Sequence, residues 1–235
     1  MFNLDRVLSR GRDLYRKPFP PENYIILDIA TAGLFPMGHG VQQVAIGMVG
    51  NKHLNEKTYT KYIKPYKDIS CTSESVRVNG ITELMLRQQG GSPESVFKFI
   101  TLTLQTAPAI VVFNSEFLLK FLRTNFVEFK IPFPDISNKI IDVGAIIKAS
   151  QLNEDKFYSA KTLLKYWQEI HFVPSAVHWG FDFVADSFGI TRKEHYRKPE
   201  ENVQLIYQMM EKLRDLAGCS ENLNVPADSF DLIAS

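Results

Sequence analysis

The sequence predicts an α/β fold built on a mixed sheet, and three observations carry that expectation. Three strand-like segments stand close together near the N-terminus, at Tyr24 to Ile29, Val41 to Val49 and Lys57 to Ile63, and their short loops suit an antiparallel meander. After Pro65 the pattern changes to helical stripes alternating with short apolar strands, which places helices over a sheet that gains parallel strands. The 235 residues are 45% hydrophobic and 23% charged, with 17 Phe and 9 Tyr, enough to bury one substantial core.

Each element has its own local signal. Leu4, Val7, Leu8 and Tyr15 fall on one helical stripe, so residues 3–16 read as a short amphipathic helix that Pro18, Pro20 and Pro21 end. Tyr24 to Ile29 is dense enough in apolar residues for a buried strand, and Gly33 with Pro36 to Gly40 supplies the loop after it. Ser92-Pro93-Glu94 is a helix start, with Ser92 as N-cap and Pro93 in the first helical position, and that helix runs to about Gln105. Ala109 to Phe113 is a buried strand, Ser115 to about Phe126 a helix, and Lys139 to Val143 a further strand. Helical patterns follow at 159–170, 179–188 and 199–216, while 145–180 is longer than the alternation requires. The chain therefore divides into an N-terminal helix and proline-rich connector (1–21), a main domain (22–217) and a polar tail (218–235).

A net charge of +1 neither supports nor excludes a nucleic-acid partner; a phosphate-binding surface would have to be local. Cys71 and Cys219 lie far apart and suggest neither a disulfide framework nor a zinc site, so reduced thiols and a cytoplasmic location are expected. His171 and His178, with no cysteine partners, do not match zinc-ligand spacing either. The longest apolar run, Ala107 to Phe113, is too short to span a bilayer, and the N-terminus lacks the apolar stretch of a secretory signal.

Five local sequences in order narrow the fold. Tyr24-Ile-Ile-Leu-Asp28-Ile-Ala30-Thr-Ala-Gly33-Leu34 resembles the first motif of the DEDD exonucleases, an apolar strand ending D-x-E-T-T-G-L, and Val41-Gln-Gln-Val-Ala-Ile-Gly47 resembles the strand after it. Tyr62-Ile-Lys-Pro65 with Val78-Asn-Gly-Ile-Thr82 resembles the family's P…hGIT stretch. Val111-Val-Phe-Asn114-Ser-Glu-Phe117-Leu118 resembles the second motif, A-H-N-A-x-F-D, and Asp182 to Ile190 followed by His195 resembles the lead into H-x-A-x-x-D of the DEDDh branch. The resemblance covers about residues 22–216 and implies a ribonuclease H-like mixed sheet flanked by helices.

It also implies a chemistry: carboxylates hold two divalent ions, usually Mg²⁺, for in-line phosphodiester hydrolysis, with a histidine as general base. Period-two alternation puts Asp28 and Ala30 on one strand face, so Asp28 matches the first metal ligand while Ala30 offers no oxygen for the second. Leu118 stands at the second-motif aspartate position, and Glu116, about 200° round the helix, faces away from it. His195 matches the base or is a surface histidine; strict spacing makes Glu200 the final carboxylate, and the helix register allows Glu201 or Asn202 instead. Asp28 reads either as a ligand or as a strand-end acid bonded to the next loop, and Asp142 reads as an N-cap.

Asn114, Arg192, Lys193, Arg197 and Lys198 are the candidate nucleic-acid contacts, the last four in a basic segment that is otherwise a solvated loop. The arginines Arg6, Arg10, Arg12 and Arg16 admit the same readings, and their helix also admits docking on this fold or on a partner. The tail holding Phe230, Leu232 and Ile233 admits an interaction peptide. The leading expectation is a noncatalytic member of the fold, with Mg²⁺ or Mn²⁺ absent or weakly bound, that binds single-stranded DNA or RNA or scaffolds a nucleic-acid-processing assembly. The alternatives are an active exonuclease with relocated ligands and a pure protein-interaction module.

Overall fold

A computed structural model describes residues 4–15, 17, 19–152, 160–173 and 180–222. Its sheet has an antiparallel part, β1 (Tyr24–Thr31), β2 (Val41–Gly50), β3 (His53–Leu54) and β4 (Tyr59–Tyr62), and a parallel part, β5 (Ile110–Val112) and β6 (Ile140–Asp142). Strand order is β3-β2-β1-β5-β6, with β4 also paired to the outer side of β2. β1 thus lies inside the sheet, antiparallel to β2 and parallel to β5. A strand so placed is covered on both faces, which is why Ile25, Ile26, Leu27 and Ile29 form a run of apolar residues rather than an alternation. The expected meander and the later parallel strands are both present; the expected third strand is β4, and an additional short strand, β3, precedes it on the same side of β2.

The helices are α1 (Leu4–Tyr15), α2 (Ser73–Asn79), α3 (Glu83–Gln89), α4 (Pro93–Thr106), α5 (Ser115–Glu128), α6 (Val143–Gln151), α7 (Leu163–Phe172), α8 (Phe181–Ser187) and α9 (Pro199–Asn222). The stripe of α1 is spent inside the domain: Val7, Leu8, Leu14 and Tyr15 join the main core, and Arg10 donates from Nη2 to the Ala160 carbonyl at 2.8 Å. Residues 4–15 are therefore part of the domain's own packing. The long stretch after β6 supplies α6 and α7, which pack on each other and on α1. Trp167 fastens α7 to the sheet through an indole N–H bond to the Ile140 carbonyl, 2.9 Å. α9 continues to Asn222, past the Gly218 at which the tail was expected to begin; residues 223–235, and His178, lie outside the described residues.

α9 crosses the sheet over β1 and β2 at a point that only glycine permits. A Cβ on Gly47 would stand 2.4 Å from Val203 Cγ1, closer than carbon atoms approach without displacement. Gly47 lies opposite Ile26 in the ladder, one alternation from Asp28, so this close seat brings the start of α9 against the strand face that carries Asp28.

Candidate active site

The period-two expectation for β1 fixes the floor of the cleft: Ile26, Asp28 and Ala30 share the face towards α9. The helix residue that reaches Asp28 is Asn202, whose Nδ2 donates to Asp28 Oδ2 at 2.7 Å. Burial pushes the Asp28 carboxyl up to about 6, against the lowering effects of the Asn202 bond, the Ile29 N–H and the Arg192 charge, while the Glu200 charge raises it further. Asp28 still keeps some solvent-facing surface, so its acid is enclosed without being sealed. Glu200 is near enough to raise the hydroxyl of Tyr62 as well, behind the effect of burial, and its Oε2 is buried without a hydrogen-bond partner.

Ala30 and Leu118 are both taken up in apolar packing. Ala30 is 7% exposed and clusters with Ile81 and Leu86, with Tyr62 against them. Leu118 is 3% exposed and belongs to the main core. Glu116, on a different face of α5, accepts from Gln168 Nε2 at 3.4 Å and so points to α7. Among the described residues no group of three His, Cys, Asp or Glu side chains is arranged to hold a metal ion. Beside Asp28 the strand face offers the Ala30 methyl group and α9 offers an amide donor, whereas hard cations need several oxygens, so these residues do not fit a two-metal centre.

The loop between α8 and α9 carries the basic residues, and most of their charge is satisfied on the spot. Arg192, 12% exposed in its side chain, bonds Asp182 Oδ1 through Nε (3.0 Å) and Nη2 (2.9 Å), Glu201 Oε2 through Nη1 (2.6 Å) and Asn202 Oδ1 through Nη2 (2.7 Å). Arg197 pairs with Asp182 at 2.6 Å and Lys198 with Glu194 at 3.8 Å. Glu201 also accepts from the backbone N–H groups of Lys193 and Glu194, at 2.8 and 2.9 Å. Arg192 thus has little left for a phosphate, while Lys193 and Arg197 remain exposed. His195 is exposed, its ring edge-on to Tyr196 with centroids 5.1 Å apart.

Asn114 is committed to the fold. It adopts φ 63° and ψ 71° at the N-cap of α5, accepts from Phe117 N at 3.1 Å, and donates its own N–H to Asp142 Oδ1 at 3.1 Å. Asp142 caps α6, as its sequence context indicated, through a bond from Ala145 N at 3.0 Å. It also accepts from Ser115 N and from His171 Nε2, the latter at 2.6 Å, so one fully buried carboxylate serves two helix starts and an imidazole. Burial alone would raise Asp142; the His171 bond and charge and the Ser115 backbone N–H outweigh it and hold the acid below its usual range. Burial likewise opposes the charge on His171, and the Asp142 bond and charge outweigh it and raise the imidazole. At 2.6 Å each group thus favours the charged form of the other.

The sequence left the register of α9 open between Glu200, Glu201 and Asn202; the structure places Asn202 on Asp28, Glu201 on the loop, and Glu200 beside both Asp28 and Tyr62. The sequence set His171 aside with His178 as a rejected zinc pair and missed its bond to Asp142, because that partner is 29 residues away on another element and only a helix phase linking α7 to the end of β6 would have joined them.

Residues 25–174 match the exonuclease family in its RNase_T form. No curated protein matches the sequence. Among solved structures, E. coli exonuclease I in complex with a dT13 oligonucleotide shares 16% identity at a TM-score of 0.63, over 83% of this chain and 41% of that one. The nuclease domain of 3′hExo, a DEDDh family member bound to rAMP, shares 15% at 0.60, over 85% and 95%. A 3′-exonuclease described in 3′-end-specific recognition of the histone mRNA stem-loop shares 13% at 0.58, over 83% and 82%. The chain spans about two-fifths of the exonuclease I chain. At these identities the structural likeness establishes the fold, and the matched segment covers well over half of the sequence: the chain belongs to the exonuclease family, with the ribonuclease H-like fold of its DEDDh-type 3′–5′ members.

Proposed function

We propose that this protein is a non-hydrolytic member of the exonuclease family that holds single-stranded DNA or RNA, as a binding or scaffolding subunit of a nucleic-acid-processing assembly. The observation that carries the reading is the bond from the Asn202 amide to Asp28: the helix side chain that meets this carboxylate is an amide and not a second carboxylate. Ala30 and Leu118, both packed against apolar neighbours, add to it. Without a metal-bound nucleophile the main source of phosphodiester acceleration is gone. Binding is supported by the exposed Lys193, suited to a backbone phosphate, and by the exposed ring of Phe35 on the loop after β1, suited to an unpaired base. The solved relatives in complex with dT13 and in recognition of an mRNA stem-loop point to the same ligand class.

End-labelled single-stranded DNA and RNA, incubated with the purified protein and Mg²⁺ or Mn²⁺, test both halves of this reading. Retention that weakens with salt, without trimming, is the expected outcome. Trimming abolished by Asp28→Ala refutes the non-hydrolytic assignment, and absence of both effects assigns the fold to protein interaction. The competing reading, a divergent exonuclease using one ion at Asp28 and Glu200, has one observation in its favour: the partnerless Glu200 Oε2.

A further inference from the structure

Arg192 joins three elements at the cleft. Its guanidinium holds Asp182 on α8 and both Glu201 and Asn202 on α9. Asn202 passes the interaction on: its Oδ1 accepts from Arg192 at 2.7 Å and its Nδ2 donates to Asp28 on β1 at 2.7 Å. The amide orientation is dictated by these neighbours, since the reverse would set its NH₂ against a cation and its oxygen against a carboxylate. The loop bearing His195 is fixed by the same cluster, because Glu201 accepts from Lys193 N and Glu194 N. Arg197 N donates to the Val78 carbonyl at 2.9 Å and ties the far end of the loop to α2.

We propose that Arg192 is the resident cation of this cleft, linked to Asp28 through Asn202, and that it takes over the bridging of strand and last helix for which a divalent ion would be needed. A guanidinium stays charged at every accessible pH and cannot be removed by a chelator, so the cleft is held together independently of divalent ions. The inference rests on the non-hydrolytic reading, but it concerns cation binding, so the two can fail separately.

Calorimetric Mn²⁺ titration of the full chain tests it, on the wild type, Asn202→Asp, and Asn202→Asp with Arg192→Gln, with circular dichroism confirming the fold of each. Wild type is expected to show no saturable Mn²⁺ binding that depends on Asp28. Asn202→Asp, which adds a second carboxylate but keeps the guanidinium, is expected to reject Mn²⁺ too. The double variant is expected to gain saturable binding that Asp28→Asn removes. Saturable binding by wild type that Asp28→Asn abolishes overturns the proposal, as does binding by Asn202→Asp alone, or a folded double variant that takes no Mn²⁺. Should the double variant not fold, the single variant decides: rejection supports Arg192 as the resident cation and binding overturns it. Wild-type Mn²⁺ binding without trimming sinks this inference and spares the proposed function; trimming without saturable binding does the reverse.

Discussion

Replacing Asp28 by Asn should stabilise the protein at neutral pH and leave it nearly unchanged in acid. The folded protein holds this carboxyl at about 6, against 3.8 when unfolded. An acid whose folded value is raised binds its proton more tightly in the folded state, so stability falls as pH rises from about 4 to about 6 and stays lowered above that. At roughly 1.4 kcal/mol per pH unit the full cost is about 3 kcal/mol. The residual solvent contact of Asp28 reduces it, and about 1–3 kcal/mol is the expected gain for Asp28→Asn at pH 7.5. The asparagine oxygen can still accept from Asn202, so the substitution removes a charge and keeps the bond. Urea denaturation in EDTA, at pH 4 and pH 7.5, reads the difference directly. A variant less stable than wild type at pH 7.5, or a gain equal at the two pH values, refutes the argument that burial of this charge is a net cost.

Three further outcomes follow from other parts of the structure. His171→Gln should cost about 2–4 kcal/mol near pH 6, because it leaves a buried carboxylate without its charged partner. The raised His171 value makes that contribution complete below about 6.5 and lost as pH rises through the folded value, so wild type and variant should converge in alkaline denaturation curves. Leu118→Asp should cost at least about 3 kcal/mol, through the lost apolar burial and the unpaired charge, with the urea midpoint as the readout. His195→Ala should stay within about 0.5 kcal/mol of wild type in the same assay, since the ring is exposed; a larger loss would show that its contact with Tyr196 organises the loop.

The parts of the fold legible in the sequence are those with a sustained period or a sharp cap. β1 and β2 announced themselves by dense apolar runs, and α4 by Ser92 and Pro93, although the Ser92 side chain makes no capping bond. The short helices α2 and α3 were missed because seven residues carry little period; their signals were Thr72 with Ser75, a reciprocal capping box, and Thr82 bonding Met85 N. α6 was missed because Val143 read as the last residue of the strand and the stretch from 145 was left unassigned; the helix begins without a loop because Asp142 ends β6 and caps α6 at once. At the site, the shared face of Asp28 and Ala30 could be read from strand alternation alone. Asn202 could not, because its register depends on the loop from Ile190 to Lys198, whose path is set by Arg192, Glu201 and the Val78 carbonyl.

The burial of Leu118 ties this position to folding rather than to chemistry. A carboxylate placed there costs several kcal/mol of folding energy, out of a typical total of about 5–15 kcal/mol, before it can bind anything. The packing of α5 therefore acts as a filter: stability itself selects an apolar side chain at this position, whatever the neighbouring residues bind.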